Sequence, residues 1–178
     1  GDTSTNDSLV LVATGRGEVV IDEGNFDQFL DHLTAICGDL ARACIRDGEG
    51  AKKFVSIVVK SAASDEEALA TAYTVAESPL VKTALGASDP NWGRILAAVG
   101  RAPIANLDIS RVEISLNGVD IVRGGQRSAD YTEQAGVDAM QAKDIEIRIG
   151  LGRGGYSETV WTTDLGYDYV RINAEYRT

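Results

Sequence analysis

Cysteine, histidine and methionine are scarce in these 178 residues: two, one and one, with only three prolines beside them. A single histidine and two cysteines cannot assemble a zinc site of usual composition. No acidic spacing asks for an all-carboxylate ion site either. The cysteines, Cys37 and Cys44, lie in one helical pattern. At 1.5 Å rise per residue their Cα atoms would stand about 10 Å apart, too far for a disulfide. They read as reduced, apolar helix-face residues in a reducing compartment, which points to the cytoplasm or an organelle matrix. Positive charge is also short: 17 basic residues against 27 acidic ones leave a formal charge of −10. With no basic run, a phosphate-backbone partner is excluded. No apolar run approaches the roughly 18 residues that span a bilayer, and the start lacks a charged-then-apolar leader, so no membrane role is expected. The first residue is Gly1 rather than Met, which reads as a processed or trimmed chain.

The remaining composition, 44% hydrophobic and 25% charged, is that of an ordinary globular protein. A chain of this length buries roughly 70% of its unfolded surface. Leu9 to Ala13 is a short apolar run, either a buried strand or the end of a helix begun earlier. Asn25 or Gly24 opens an amphipathic helix with Phe26, Phe29, Leu30, Leu33, Ile36, Leu40 and Cys44 on one face, ending near Arg46. Phe54 to Val59 is the best strand. Ser64 caps a second helix, with Glu67 completing a capping box, and Pro79 breaks or kinks it. Asp89 is placed as N-cap and Pro90 as first residue of a helix carrying Trp92, Ile95, Leu96 and Val99, closed by Gly100 in a left-handed cap.

After Pro103 alternation takes over. Val112, Ile114 and Leu116 lead to Asn117-Gly118, a type I′ hairpin signal, and the chain returns through Val119 to Val122. A helix over Glu133 to Ala142 and strands over Ile145 to Ile149 and Glu158 to Thr163 follow. The fold class is α/β (α+β), with mixed sheets and packed helices. The break near 101–108 suggests two lobes, 1–102 and a β-rich 103–178.

Three places invite a chemical reading. Gly150-Leu-Gly152-Arg-Gly154-Gly155 resembles a nucleotide loop, but the residues that follow alternate like a strand and supply no helix N-terminus for a phosphate. His32 beside Asp31 is no dyad, since adjacent helix positions diverge and no G-x-S-x-G elbow exists. Asp47-Gly48-Glu49-Gly50 places two carboxylates after a helix C-terminus, where the dipole disfavours them. That turn either binds something cationic or is simply an exposed acidic turn. The C-terminal residues stay patterned to the end, through tucking into a site or through strand pairing.

Five segments carry a resemblance. They are Asp2-Thr-Ser-Thr-Asn-Asp7, Arg46-Asp-Gly-Glu-Gly-Ala51, Ser78-Pro-Leu-Val-Lys-Thr-Ala84 with Asp89-Pro-Asn-Trp-Gly-Arg94, Thr159 to Val170 (TVWTTDLGYDYV), and Ile172 to Thr178 (INAEYRT). In this order they resemble the ornithine acetyltransferases, or glutamate N-acetyltransferases, of arginine biosynthesis.

The resemblance implies a self-cleaving fold in which a precursor divides into α and β chains and frees a threonine at the β chain's start. That threonine takes the acetyl group of N-acetylornithine and passes it to glutamate in a ping-pong cycle, with an oxyanion hole from the α chain. Some members also accept acetyl-CoA; no cofactor is otherwise implied. The implied assembly is an α2β2 heterotetramer. The family's A-T-M-L-type nucleophile motif is absent, so no catalytic residue is assigned here, and the chain resembles a β chain without its front. Glu49, Asn173 and Thr178 match the family's substrate ligands: a carboxylate for the ornithine amine, and polar residues for the amino-acid headgroup. The resemblance further implies that the 103–178 lobe completes the substrate site. Two other functions compete: an acetyltransferase of specialised metabolism acting on another amino acid, and a non-catalytic structural or interaction fragment.

Overall fold

A computed structural model describes residues 8–175; Thr178 and the Asp2–Asp7 segment lie outside the described residues. Two compact units are present, one ending at Ala43 and one beginning at Cys44. In the first, Leu9 to Ala13 forms neither a strand nor a helix, and Leu9 to Val12 are exposed. An extended apolar run becomes a strand only with a neighbouring strand to pair with, and the described residues give it none. Helix α1 (Phe26–Arg46) forms as its periodicity predicts, yet none of its residues is buried; Phe26, Leu30, Ile36 and Leu40 are exposed. Among the described residues no helix is long and apolar enough to cross a membrane.

The second unit is a mixed α/β layer structure. After α1 the elements are β1 (Phe54–Ala62), α2 (Asp65–Ala76), α3 (Pro79–Gly86), α4 (Trp92–Gly100), β2 (Glu113–Leu116), β3 (Val119–Arg123), β4 (Gln126–Arg127), α5 (Glu133–Ala139), β5 (Asp144–Gly150), β6 (Tyr156–Thr163) and α6 (Tyr167–Glu175). The six strands form one sheet in the order β4-β3-β2-β5-β1-β6, with β1 and β5 parallel and every other pair antiparallel. The sheet takes β1 from before residue 102 and the other strands from after it, so it runs across the expected 1–102 and 103–178 division.

Side-chain alternation sets the core. Val55, Ile57 and Val59 of β1, Ile145, Ile147 and Ile149 of β5, and Ile114 and Leu116 of β2 all point to one buried face. They pack with Ala68, Ala72 and Val75 of α2, Val81 and Leu85 of α3, and Ile95 and Val99 of α4. Each fully buried isoleucine contributes about 2–3 kcal/mol of transfer free energy. Between them on the strands, Ser56, Val58, Glu146 and Arg148 remain at least partly open.

The predicted punctuation is mostly in place. Ser64 Oγ accepts from Glu67 N (3.2 Å), while Glu67 Oε1 reaches back to Ala63 N (3.2 Å) rather than to the cap's own amide. Asn117 and Gly118 have φ of 46° and 82°, the paired left-handed conformation of a type I′ turn. The glycine-rich segment connects β5 to β6, and Arg153 N and Gly154 N both donate to Ser61 O.

Three expectations change. The cap of α4 is Asn91, whose Oδ1 accepts from Arg94 N (3.1 Å), not Asp89; Asp89 Oδ2 instead accepts from Asn91 Nδ2 (3.0 Å). The amides of Asn91 and Trp92 turn back to Asp89 O and Pro90 O, so the helix starts two residues later. Nor does Gly100 close that helix left-handed: it is the last helical residue, and Arg101 follows at φ −92°. The C-terminal run is a helix, α6, not a paired strand, and none of its described residues is buried. Asp168 in its first turn favours the helical N-terminus.

Candidate functional site

The strand register brings two distant segments together. Because β1 and β6 are antiparallel with Phe54 opposite Thr163, the turn entering β1 and the loop leaving β6 emerge side by side. On the other flank, Phe54 lies opposite Asp144, the first residue of β5. Arg46 grips that carboxylate with both guanidinium nitrogens, 2.6 Å to Oδ1 and 2.9 Å to Oδ2, and its Cζ lies 4.1 Å from the Phe54 ring centroid. This bidentate bond is the main cause of an Asp144 pKa below its ordinary value. Arg46 is thereby fixed to the first residue of β5 just before the acidic turn begins.

The turn then folds onto the start of α6. Gly48 O accepts from Ala51 N (3.0 Å), and Gly50 takes φ +70°, in the left-handed region. A Cβ on Gly50 would stand 2.6 Å from Tyr169 N and 3.0 Å from Asp168, so only glycine lets the two backbones meet. Lys52 Nζ pairs with Asp168 Oδ2 at 3.1 Å. That contact, first as a hydrogen bond and then as a charge, holds the Asp168 carboxyl below its ordinary pKa.

Glu49 and Asn173 meet across this junction. Asn173 Nδ2 donates to Glu49 Oε2 (2.8 Å) and to Tyr169 O (2.9 Å), one turn earlier on α6. Both side chains are exposed, and among the described residues Glu49 Oε1 has no partner. An exposed carboxylate with one oxygen oriented by an amide and the other open suits an ammonium group. The structure thus brings together two of the three residues singled out from sequence, Glu49 and Asn173; Thr178 lies outside the described residues.

Two further residues organise the junction. Asp164, 4% exposed, accepts the amides of Lys52 and Lys53 through Oδ1, each at 2.8 Å, while its buried Oδ2 has no partner among the described residues. Lys82 of α3 donates to Thr162 Oγ1 (2.8 Å) and Thr163 O (2.7 Å). Burial pushes the Lys82 ammonium below its ordinary pKa, partly offset by the charge of Asp164. Sequence reading used the segments holding both residues as family markers without assigning them roles. The available signal was an aspartate directly after a strand, between threonines and Leu165-Gly166.

A cavity of about 350 Å³ adjoins this junction, bounded by Lys52, Thr83, Gly86, Leu165, Tyr167 and Val170. Neither Glu49 nor Asn173 lines it. The convergence of the matched polar pair locates the site better than this cavity does, because the cavity is mainly apolar-walled and the oxygens of Asp164, which lines it, are sealed or occupied.

Fold and site together describe a mixed α/β protein with a polar side-chain cluster at one end of its sheet. The chain belongs to the ArgJ family, whose pattern matches residues 1–178. It is 54% identical to the arginine biosynthesis bifunctional protein ArgJ of Pseudomonas fluorescens strain Pf0-1 over all of this chain and 45% of that protein. The protein of the same name from Methylococcus capsulatus strain Bath is 54% identical over all of this chain and 44% of its own length. The chain therefore spans less than half the length of these relatives. The crystal structure of arginine biosynthesis bifunctional protein argJ from Bacillus halodurans superposes with a TM-score of 0.90 at 36% identity, covering 99% of this chain and 84% of that one.

Proposed function

We propose that this chain is the larger part of the β chain of an ornithine acetyltransferase in arginine biosynthesis. In this reading the complete enzyme moves the acetyl group from N2-acetylornithine to glutamate through an acetyl-threonine intermediate, and acetyl-CoA is a second donor in a bifunctional enzyme. The threonine lies outside this chain, and an α chain of the same precursor supplies the oxyanion hole in an α2β2 assembly in the cytoplasm. Glu49 receives the side-chain amine of ornithine, while Asn173 and Thr178 hold the amino-acid headgroup.

The observation that carries this reading is the 2.8 Å bond between Glu49 and Asn173, 124 residues apart in sequence. Two residues that the family resemblance matches to substrate ligands on separate motifs are in direct contact, which supports the reading. Charge chemistry agrees: a carboxylate recognises an ammonium, and an amide oxygen accepts from an amino group.

The test is Glu49→Ala in the complete protein. Cleavage of the precursor should proceed as before, while KM for N2-acetylornithine rises about 10–100-fold, the loss of one charge-assisted hydrogen bond. An unchanged KM would remove Glu49 from the site. Side-by-side assay with other acetylated amino acids separates an arginine enzyme from one acting on another amino acid.

A further inference from the structure

We infer that Asp164 is a positioning residue that aligns the two halves of the Glu49–Asn173 site, an inference that rests on the proposed substrate role of that pair. The site has no continuous backbone. One half, Glu49, sits on the turn before β1; the other, Asn173, sits on the helix after β6. What joins them must span the gap at the sheet end. Asp164 is the first residue after β6 and opens the loop to α6, and its Oδ1 accepts the amides of Lys52 and Lys53 across 112 and 111 residues of sequence. The side chain fastens the turn to the strand that leads into the helix.

Its surroundings fix it in that role. Asp164 is 4% exposed, so it has no freedom to swing toward solvent. Lys82 holds the preceding strand residues from the α3 side, and Leu165 N donates to Lys82 O (3.0 Å), so residues 162–165 are clamped on both flanks. Gly86 makes the clamp possible. A Cβ there would lie 2.8 Å from Leu165 O and 3.4 Å from Asp164 Oδ2, so a larger residue would push the loop off α3. Two charge-assisted bonds from backbone amides to one carboxylate oxygen are stronger than neutral ones. They act on Glu49 through the turn, and among the described residues Asp164 makes no hydrogen bond to Glu49 or Asn173. Its effect is therefore on geometry, where a displacement of about 1 Å is enough to cost two orders of magnitude.

The experiment uses the complete protein with three variants assayed in parallel: Glu49→Ala, Asp164→Ala and Asp164→Asn. Asn keeps a carbonyl oxygen for the two amides; Ala keeps none. Asp164→Ala should raise KM for the amino substrate about 10-fold or more with kcat within about 3-fold, and Asp164→Asn should restore KM to within about 3-fold of the parent. The amide resonances of Lys52 and Lys53 should move upfield in Asp164→Ala and return toward their parent positions in Asp164→Asn. If Glu49→Ala raises KM and Asp164→Ala does not, the inference is overturned while the site stands. If Glu49→Ala leaves KM unchanged, the substrate reading itself fails. Should Asp164→Ala not fold, Asp164→Asn decides: parent-like KM with hydrogen-bonded Lys52 and Lys53 amides supports the inference, and parent-like KM with those amides exchanging freely overturns it.

Discussion

Lys82 spans from α3 to the end of β6 and donates its ammonium to Thr162 Oγ1 at 2.8 Å, so a partly buried cation closes the strand from which the site loop departs. Thr162 passes the interaction on, donating from the same oxygen to Ala76 O at 3.2 Å. One lysine thereby ties together the end of α2, α3 and the sheet edge. The arrangement is a polar network within otherwise apolar packing, and such networks stabilise only when every member is satisfied.

Replacing Lys82 by Met keeps most of the side-chain volume and removes the donor. Thr162 Oγ1 and Thr163 O are then left with fewer partners in a partly buried position, and the variant should be less stable by about 1–3 kcal/mol at neutral pH. Urea unfolding monitored by circular dichroism measures this. The alkaline limb gives a second readout. Because burial lowers the Lys82 pKa in the folded state, its charged form favours folding less than its neutral form would. Its contribution to stability rises as pH climbs from the lowered folded value to the ordinary lysine value, and that rise should vanish in Lys82→Met.

Gly50→Ala should be far more damaging than its size suggests. The new methyl would meet Tyr169 N at 2.6 Å in a residue already at φ +70°. The left-handed conformation alone costs about 1–2 kcal/mol for alanine, and relief of the clash requires α6 to move. We expect a lower melting temperature and a raised KM together. Gly155→Ala is the matched control, since nothing stands within 4 Å of its Cβ position; it should leave both unchanged.

Glu49 and Asn173 should behave as a coupled pair. In a double-mutant cycle, Glu49→Ala and Asn173→Ala are expected to be non-additive in transition-state free energy by about 0.5–1.5 kcal/mol, because the second substitution removes an interaction already lost. Additive effects would mean that the Glu49–Asn173 hydrogen bond does not couple the two residues in the working enzyme.

Acid should loosen the junction between the turn and α6. Lys52 holds the Asp168 carboxyl below its ordinary pKa, so the pair's contribution is fully present above the unfolded-state value, near 4, and is lost as pH falls through the depressed folded value. Asp168→Asn should flatten this part of the acid limb. Stability measured at a series of pH values below 5, parent against variant, checks the sign.

How much of this was legible depended on which physical signal each segment carried. β1, β5 and the β2–β3 hairpin were readable because alternating β-branched residues and an Asn-Gly turn admit few other structures. The start of α4 was not, since Asp89, Pro90 and Asn91 offer two capping side chains two residues apart, and only backbone geometry chooses between them. α6 was missed as a helix because aromatic and apolar residues over so short a run fit either period. Of the site, the acidic turn left its role open, and Glu49 and Asn173 were paired only through the family resemblance. Asp164 escaped notice for another reason. Its partners are backbone amides, which leave no trace in a sequence.

The position of β1 within the sheet has a consequence for how the protein is made. Its two neighbours, β5 and β6, both arrive about a hundred residues later. During synthesis this interior strand emerges with neither edge paired and waits while the chain through β4 and α5 is completed. Closing so long a loop is slow and leaves an apolar strand open to wrong partners meanwhile. The Glu49–Asn173 contact comes later still, because α6 follows the last strand. A ribosome-bound chain halted before Tyr156 would hold neither β6 nor α6, so the hydrogen bond that joins the acidic turn to α6 could not yet form.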